Sequence, residues 1–311
     1  MAHLVWDWNG TLLDDLTLVV EATNACLALF GGGPTTDEEH RREFCRPVSA
    51  YYEVALGRAV DAADFARLDR LFHETYSAGL AACALAADAH HALTGWPGTQ
   101  SLLSMWFHDR LVPTIDRYGL SGYFVRVDGL RAEIGGGSKT PHLVSHLAAL
   151  GLDGPDCVLV GDSVDDAEAA EAVGAACVLY SGGFTDVDRL RATGRPVAYT
   201  LTEAVRLAAA QEELAVALGG MVLPVREAGV PVVELDRPGL VVRTGVARDS
   251  RRWIRIPAPD GKRFGGRRPA RGVDLRPDML TVWVSADLNA AAVGIAVDNA
   301  VILARTLALP A

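Results

Sequence analysis

The sequence predicts an α/β protein. A doubly wound parallel sheet is interrupted by an inserted helical segment and followed by a smaller α+β module. Three observations predict it. Short apolar runs that end in Asp, Ser or Gly alternate with segments of helical period, which is the pattern of a parallel sheet with crossover helices. One long stretch, residues 16–94, is helical almost throughout. Beyond residue 210 the texture changes to short β-like runs and the charge changes sign: residues 1–210 carry 15 Lys/Arg against 28 Asp/Glu, residues 211–311 carry 14 against 11.

In chain order, "HLVWD" (3–7) reads as a buried strand. Helical periodicity then runs through "LVVEATNACLALF", "SAYYEVALGRAV", "ADFARLDRLFHETYSAGL" and "DAHHALTGW". "QSLLS" (100–104) reads as the next strand and Leu111–Tyr118 as a helix, followed by a strand in "YFVRVDGL". A glycine loop, 135–137, leads to Lys139 and to the helix "PHLVSHLAALG", ended by Gly151. "CVLVGDS" is a strand entering a loop, "DDAEAAEAVG" a helix and "ACVLYSGG" a strand. In the last hundred residues "VPVVEL", "GLVVRTGV", "RWIRIP" and "MLTVWVS" read as strands, with a helix from at least Asp298 onwards. The organisation expected is a core of 1–15 plus 95–210, the helical insert 16–94, and a module 211–311 of unknown role.

Composition narrows the function class. The five cysteines are scattered without a Cys-x-x-Cys pair, against a disulfide framework or a zinc site. No apolar run reaches the roughly 20 residues of a membrane span, and no leader-like start is visible, so a cytoplasmic protein without membrane contact is expected. Arg248–Arg276 hold ten basic residues, yet the whole chain carries a net −10. This favours an intramolecular or protein partner for the segment over nucleic acid.

Four pieces fall at strand ends that share one rim of the sheet: Asp7, Ser104, Lys139, and Asp162 with Asp165 and Asp166. A carboxylate can attack phosphorus where further acids hold a hard cation and a lysine and a hydroxyl bind the phosphoryl oxygens. Asp165 reads as a solvated or helix-capping acid, and His142 with His146 as an amphipathic surface pair.

This order resembles the haloacid dehalogenase (HAD) superfamily of phosphohydrolases over residues 3–205. "DWNGT" matches the first motif, Asp-x-Asp-Gly-Thr, except at Asn9. Ser104, Lys139 and "GDSVDD" match the second, third and fourth. The resemblance implies a Rossmann-like core with a C1-type helical cap, and a nucleophile, Asp7, that forms an aspartyl-phosphate. It also implies Mg2+ held by Asp7, Asp162, Asp166 and the backbone carbonyl of Asn9. Ser104 and Lys139 would grip the phosphoryl group; Gly10, Thr11 and Ser163 would shape the loops. The substrate implied is a small phosphorylated metabolite. An amide at position 9 cannot exchange a proton near neutral pH, which removes a general acid–base contribution of about 10²–10⁴-fold. Slow turnover or a preference for good leaving groups follows for a native Asn9, unless deamidation of Asn9-Gly10 restores the acid or His108 replaces it; an engineered replacement that traps a substrate complex is the other reading of this residue. A phosphate-binding regulator working through its C-terminal module is the alternative.

Overall fold

The computed structural model describes residues 2–131, 136–218, 221–227, 230–237, 240–246, 251–265, 272–285, 288 and 290–310. They form two compact units, Met1–Ala208 and Ala209–Ala311. The first unit opens with strand β1 (His3–Trp6), buried at every position. A two-residue strand β2 (Leu13–Asp14) leads into helices α1 (Leu16–Leu29), α2 (Asp37–Glu43), α3 (Val48–Leu56) and α4 (Ala62–Gly79). Strand β3 (Ala84–Leu85) then returns to pair antiparallel with β2.

These helices carry recognisable ends. Thr36 and Glu39 form a capping box at the start of α2, Asp61 caps α4, and α3 stops at Gly57 in the left-handed conformation. Cys26, Leu27, Tyr52 and Leu68 form the insert's own core.

Helix α5 (Ala89–Gly95) returns the chain to the sheet. There follow β4 (Gln100–Phe107), α6 (His108–Arg117), β5 (Arg126–Leu130), α7 (Thr140–Leu150), β6 (Cys157–Gly161), α8 (Val164–Val173), β7 (Ala176–Tyr180), α9 (Val187–Ala192), β8 (Val197–Ala198) and α10 (Leu201–Leu218). The sheet order is β5-β4-β1-β6-β7-β8, with every pairing parallel. Strands covered on both faces read as near-continuous apolar runs, which is why "HLVW" and "CVLV" announced themselves. The chain moves outward from β1 in one direction and then from β6 in the other. The crevice between the carboxyl ends of β1 and β6 is therefore the topological switch point, where open α/β sheets place their ligands.

Three local readings change. The strand expected to end at Ser104 continues to Phe107 through a break in its pairing with β5, and α6 begins at His108 rather than Leu111. His146 is buried, not on the surface: its Nδ1 meets Asp128 Oδ2 at 2.7 Å and its Nε2 meets Ser101 Oγ at 2.7 Å. Polar partners inside the sheet edge satisfy a ring that periodicity alone assigned to solvent. Gly135 lies outside the described residues.

The second unit is an antiparallel sheet with a helix on one face. Its strands are β9 (Met221–Glu227), β10 (Val230–Arg237), β11 (Leu240–Val246), β12 (Arg251–Pro257), β13 (Lys262–Phe264), β14 (Val273–Leu275) and β15 (Met279–Ser285). Helix α11 (Ala290–Leu307), which contains the stretch expected from Asp298, and β16 (Ala308–Pro310) complete it. The main order is β14-β15-β12-β11-β10-β9. Val293, Val297, Ala300 and Ala304 pack with Leu235, Val242, Ile254 and Ile256. Within the basic segment, residues 248–250 and 266–271 lie outside the described residues; Arg251 and Arg255 stack over Trp283 and Trp253, each at 4.5 Å. No described helix is long and apolar enough to cross a membrane.

Candidate active site

Strand β1 delivers Asp7 one residue past its end, where the Asp7 N–H still donates to the Val160 carbonyl of β6 (2.8 Å). The Trp8 N–H donates to Asp7 Oδ1 at 2.8 Å, turning the carboxyl toward the crevice loop. Gly10 has φ 70°, and a β-carbon there would lie 2.5 Å from Asp162 Oδ2. Only glycine allows the two loops to close this far.

From β6 come Asp162 and, one turn into α8, Asp166. Thr11 Oγ1 and the Phe184 N–H donate to the two oxygens of Asp162, at 3.1 and 2.6 Å. Ser163 and Asp166 form a capping box, with Ser163 N–H and O–H both donating to Asp166 Oδ2 (3.0 and 2.6 Å). Lys139, at the start of α7, is buried with its Nζ 2.9 Å from Asp7 Oδ1 and in contact with Asp166 Oδ1.

The electrostatics follow from burial. Desolvation pushes the Asp7 carboxyl up to about 6, partly offset by Lys139. Desolvation and the Asp7 and Asp166 charges hold Asp162 well above the usual carboxylate range. Burial alone would lower the Lys139 ammonium, but Asp166 and Asp7 outweigh it and raise it. Asp7, Asp162 and Asp166 offer oxygens that all lie within 4.8 Å of one another. Three buried carboxylates against one ammonium, all with oxygen donors, fit a hard divalent cation such as Mg2+.

Asn9 is held on every side. Its Nδ2 donates to Asp15 Oδ2 and to Tyr76 Oη, both at 2.8 Å, and its Oδ1 accepts from Ser104 Oγ at 3.1 Å. Tyr76 in turn donates to Asp15 Oδ2 (2.6 Å), and the Gly10 N–H to Asp15 Oδ1 (2.8 Å). An aspartate at position 9 would face the buried Asp15 carboxylate; an amide bonds to it instead. Burial raises Asp15 to about 6.

Asp7, Asn9, Gly10, Thr11, Lys139, Asp162 and Asp166 are thus brought together. Ser104 is buried behind Asn9, its oxygen accepting from the Trp106 N–H at 3.0 Å. His108 is not brought in: the Gly129 N–H donates to its Nδ1 at 3.3 Å beside β5, and it lines neither cavity described below. Asp165, read as a solvated or capping acid, is buried. It accepts from the Lys139 N–H (2.9 Å) and Ser138 Oγ (3.1 Å), fixing the loop that presents Lys139. Sequence reasoning passed over Asp15 and Tyr76. The double acid Asp14-Asp15 was visible, but nothing in spacing tells which acid turns inward, and Tyr76 arrives from a helix far along the chain.

Two cavities adjoin the cluster. A cleft of about 320 Å3, counted with its opening to solvent, is lined by Asp7, Lys139, Asp162, Ser163 and Asp165. It shares Asn9, Phe44, Arg46, Met105 and Phe184 with a larger cavity of about 770 Å3, a volume that includes its opening to solvent, lined by the helical insert together with Asn9, Met105, Trp106, Gly136 and Phe184 of the core.

A HAD-hydrolase-like family model matches residues 136–204. The phosphoglycolate phosphatase 1 of Pseudomonas aeruginosa is 28% identical over 217 residues, 63% of this chain and 72% of that protein. The phosphoglycolate phosphatase of Caulobacter vibrioides is 29% identical over 200 residues, 60% and 81% of the two chains. Among solved structures, a haloacid dehalogenase-like hydrolase from Streptococcus pneumoniae superposes with TM-score 0.56 at 16% identity, covering 66% of this chain and 97% of that one. A haloacid dehalogenase-like protein from Agrobacterium tumefaciens gives 0.56 at 20%, covering 68% and 100%. The structural likenesses agree with the strand order of the first unit. Residues 136–204 thus match the HAD-hydrolase-like model, and through its first two-thirds the chain is similar to the phosphoglycolate phosphatases and shares the fold of haloacid dehalogenase-like proteins.

Proposed function

We propose that this protein hydrolyses phosphate monoesters of small metabolites with Asp7 as nucleophile. The observation that carries the reading is the meeting of Asp7, Asp162 and Asp166 around the buried Lys139 ammonium. The names of the two curated relatives support a monoesterase. Two cavities that meet at this cluster support a small substrate.

Asp7, Asp162 and Asp166, with the Asn9 carbonyl, would hold Mg2+, which supplies positive charge against the phosphoryl oxygens. Asp7 attacks phosphorus as the bond to the leaving oxygen breaks, giving an aspartyl-phosphate and a free alkoxide or phenoxide. Water then attacks phosphorus and returns the Asp7 carboxylate with inorganic phosphate. Lys139 neutralises charge on Asp7 before the attack and on the phosphoryl group after it. Asp165 and the Ser138 hydroxyl keep the lysine loop in place. Asn9 neither gives nor takes a proton, so the leaving oxygen departs with its charge, and turnover favours esters of acidic alcohols.

The test is phosphate release from para-nitrophenyl phosphate by the purified chain, with Mg2+ and with chelator. Release that needs the cation and vanishes in Asp7→Asn supports the reading. Binding of phosphate with no release from any ester supports the regulator instead.

A further inference from the structure

The larger cavity carries chemistry that neither the family motifs nor the relatives' names describe. Its wall is built of rings: Phe44, Tyr52, Phe65, Phe72, Trp106 and Phe184. Some are already arranged in pairs, Phe72 stacked on Tyr76 at 5.9 Å and 12° and His40 on Phe44 at 5.0 Å and 19°. Aromatic faces hold a further ring better than an alkyl chain of equal area, because offset and edge contacts add to burial.

The charges argue in the same direction. Among the described residues, Arg46 is the one lysine or arginine on this wall. Its Nε is 3.5 Å from Asp165, and its Nη1 donates to the Gly137 carbonyl at 3.1 Å. A second anionic group on the substrate would find that cation already engaged, and Asp69 on the same wall would repel it. The organic group that fits carries no second anion.

His40, also on this wall, is uncharged at neutral pH, because burial holds its pKa down to about 4.

We propose that the organic group of the substrate is an aromatic ring system without a second anionic group, held in this cavity while its phosphate reaches Asp7. This rests on the monoesterase reading and narrows it. It also accords with Asn9: a phosphate borne directly on a ring leaves as a phenoxide, which needs little protonation.

The test separates ring recognition from leaving-group chemistry by using phosphonates, which bind without turnover. Calorimetric titration in Mg2+ compares methylphosphonate, benzylphosphonate and 3-phosphonopropionate, the last carrying a carboxylate where the relatives' named substrate has one. Burying one ring should make benzylphosphonate bind about 30-fold tighter than methylphosphonate, with 3-phosphonopropionate no tighter than methylphosphonate. Phe72→Leu, which keeps apolar bulk and removes a ring, should cut the benzyl-to-methyl ratio about 3-fold. Equal affinities for the benzyl and methyl compounds, or tighter binding of 3-phosphonopropionate, overturn the proposal. If no phosphonate binds, both this proposal and the monoesterase reading fall. If benzylphosphonate binds tightly but no ester releases phosphate, hydrolysis alone is refuted and the ring site stands.

Discussion

Lys139→Met tests how the acidic cluster is balanced. The side chain is 2% exposed and its ammonium touches two carboxylates, at 2.9 Å from Asp7 and closer still to Asp166. Methionine fills similar space, so the loss is one of charge: three buried carboxylates remain with no cation. Removing one partner of a buried ion pair costs about 3–5 kcal/mol, because the abandoned charge stays out of water. For a domain of this size that is a fall in Tm of about 6–20 °C. The assay is thermal unfolding of the first unit in chelator and in Mg2+. The variant should be the less stable protein in chelator and should gain more from Mg2+ than the parent, since binding stabilises the folded state by mass action and the site is now one charge more negative. Phosphate release should fall in parallel. An unchanged Tm in chelator would refute the description of Lys139 as the cluster's internal counter-ion.

Other perturbations report on neighbouring parts. Asp7→Asn should lower phosphate release about 10³-fold or more while raising Tm in chelator, because a carboxyl strained up to about 6 by burial becomes a neutral amide. Kinetics and melting of the one variant check both. Asn9→Asp places a second carboxylate against Asp15 and should cost about 1–3 kcal/mol. The double variant Asn9→Asp/Asp15→Asn restores an acid–amide pair, recovers stability, and should speed alkyl phosphate hydrolysis about 10²-fold. Additive effects of the two changes would contradict the contact. His40 is held neutral in the folded protein down to about 4, against 6.5 when unfolded. The unfolded chain therefore binds the extra proton first, and stability is lost as pH falls from 6.5 toward 4, by about 3 kcal/mol from this group. His40→Gln should flatten that limb of a Tm-against-pH profile; an unchanged limb would contradict it.

The parallel sheet was legible because strands buried on both faces are short and apolar, and because the chain punctuates each with the acid or serine that follows it. Asp7, Lys139, Asp162 and Asp166 could be named for the same reason: topology carries strand ends to one rim. What spacing could not show was tertiary. Asp15 turns inward only because Asn9, Gly10 and Tyr76 meet it there. Asp165 looked like a solvated acid until the Lys139 amide was found on it. His108 stood close to the rim in sequence, but the continuation of β4 to Phe107 carries it past the cluster to Gly129. The aromatic cavity draws its rings from four separated stretches of chain, and ring residues at helical spacing read equally well as core. Asn9 looked like a missing part; in the fold it is the partner that a buried Asp15 requires.

The most direct measurement is chemical trapping at Asp7. The protein is mixed with an aryl phosphate and Mg2+, quenched during turnover, treated with borohydride to reduce any acyl-phosphate, and digested for mass spectrometry. Conversion of Asp7 to homoserine in the N-terminal peptide, dependent on substrate and cation and absent from Asp7→Asn, is the expected result. Steady release of phosphate with Asp7 never reduced would contradict a covalent role for this residue.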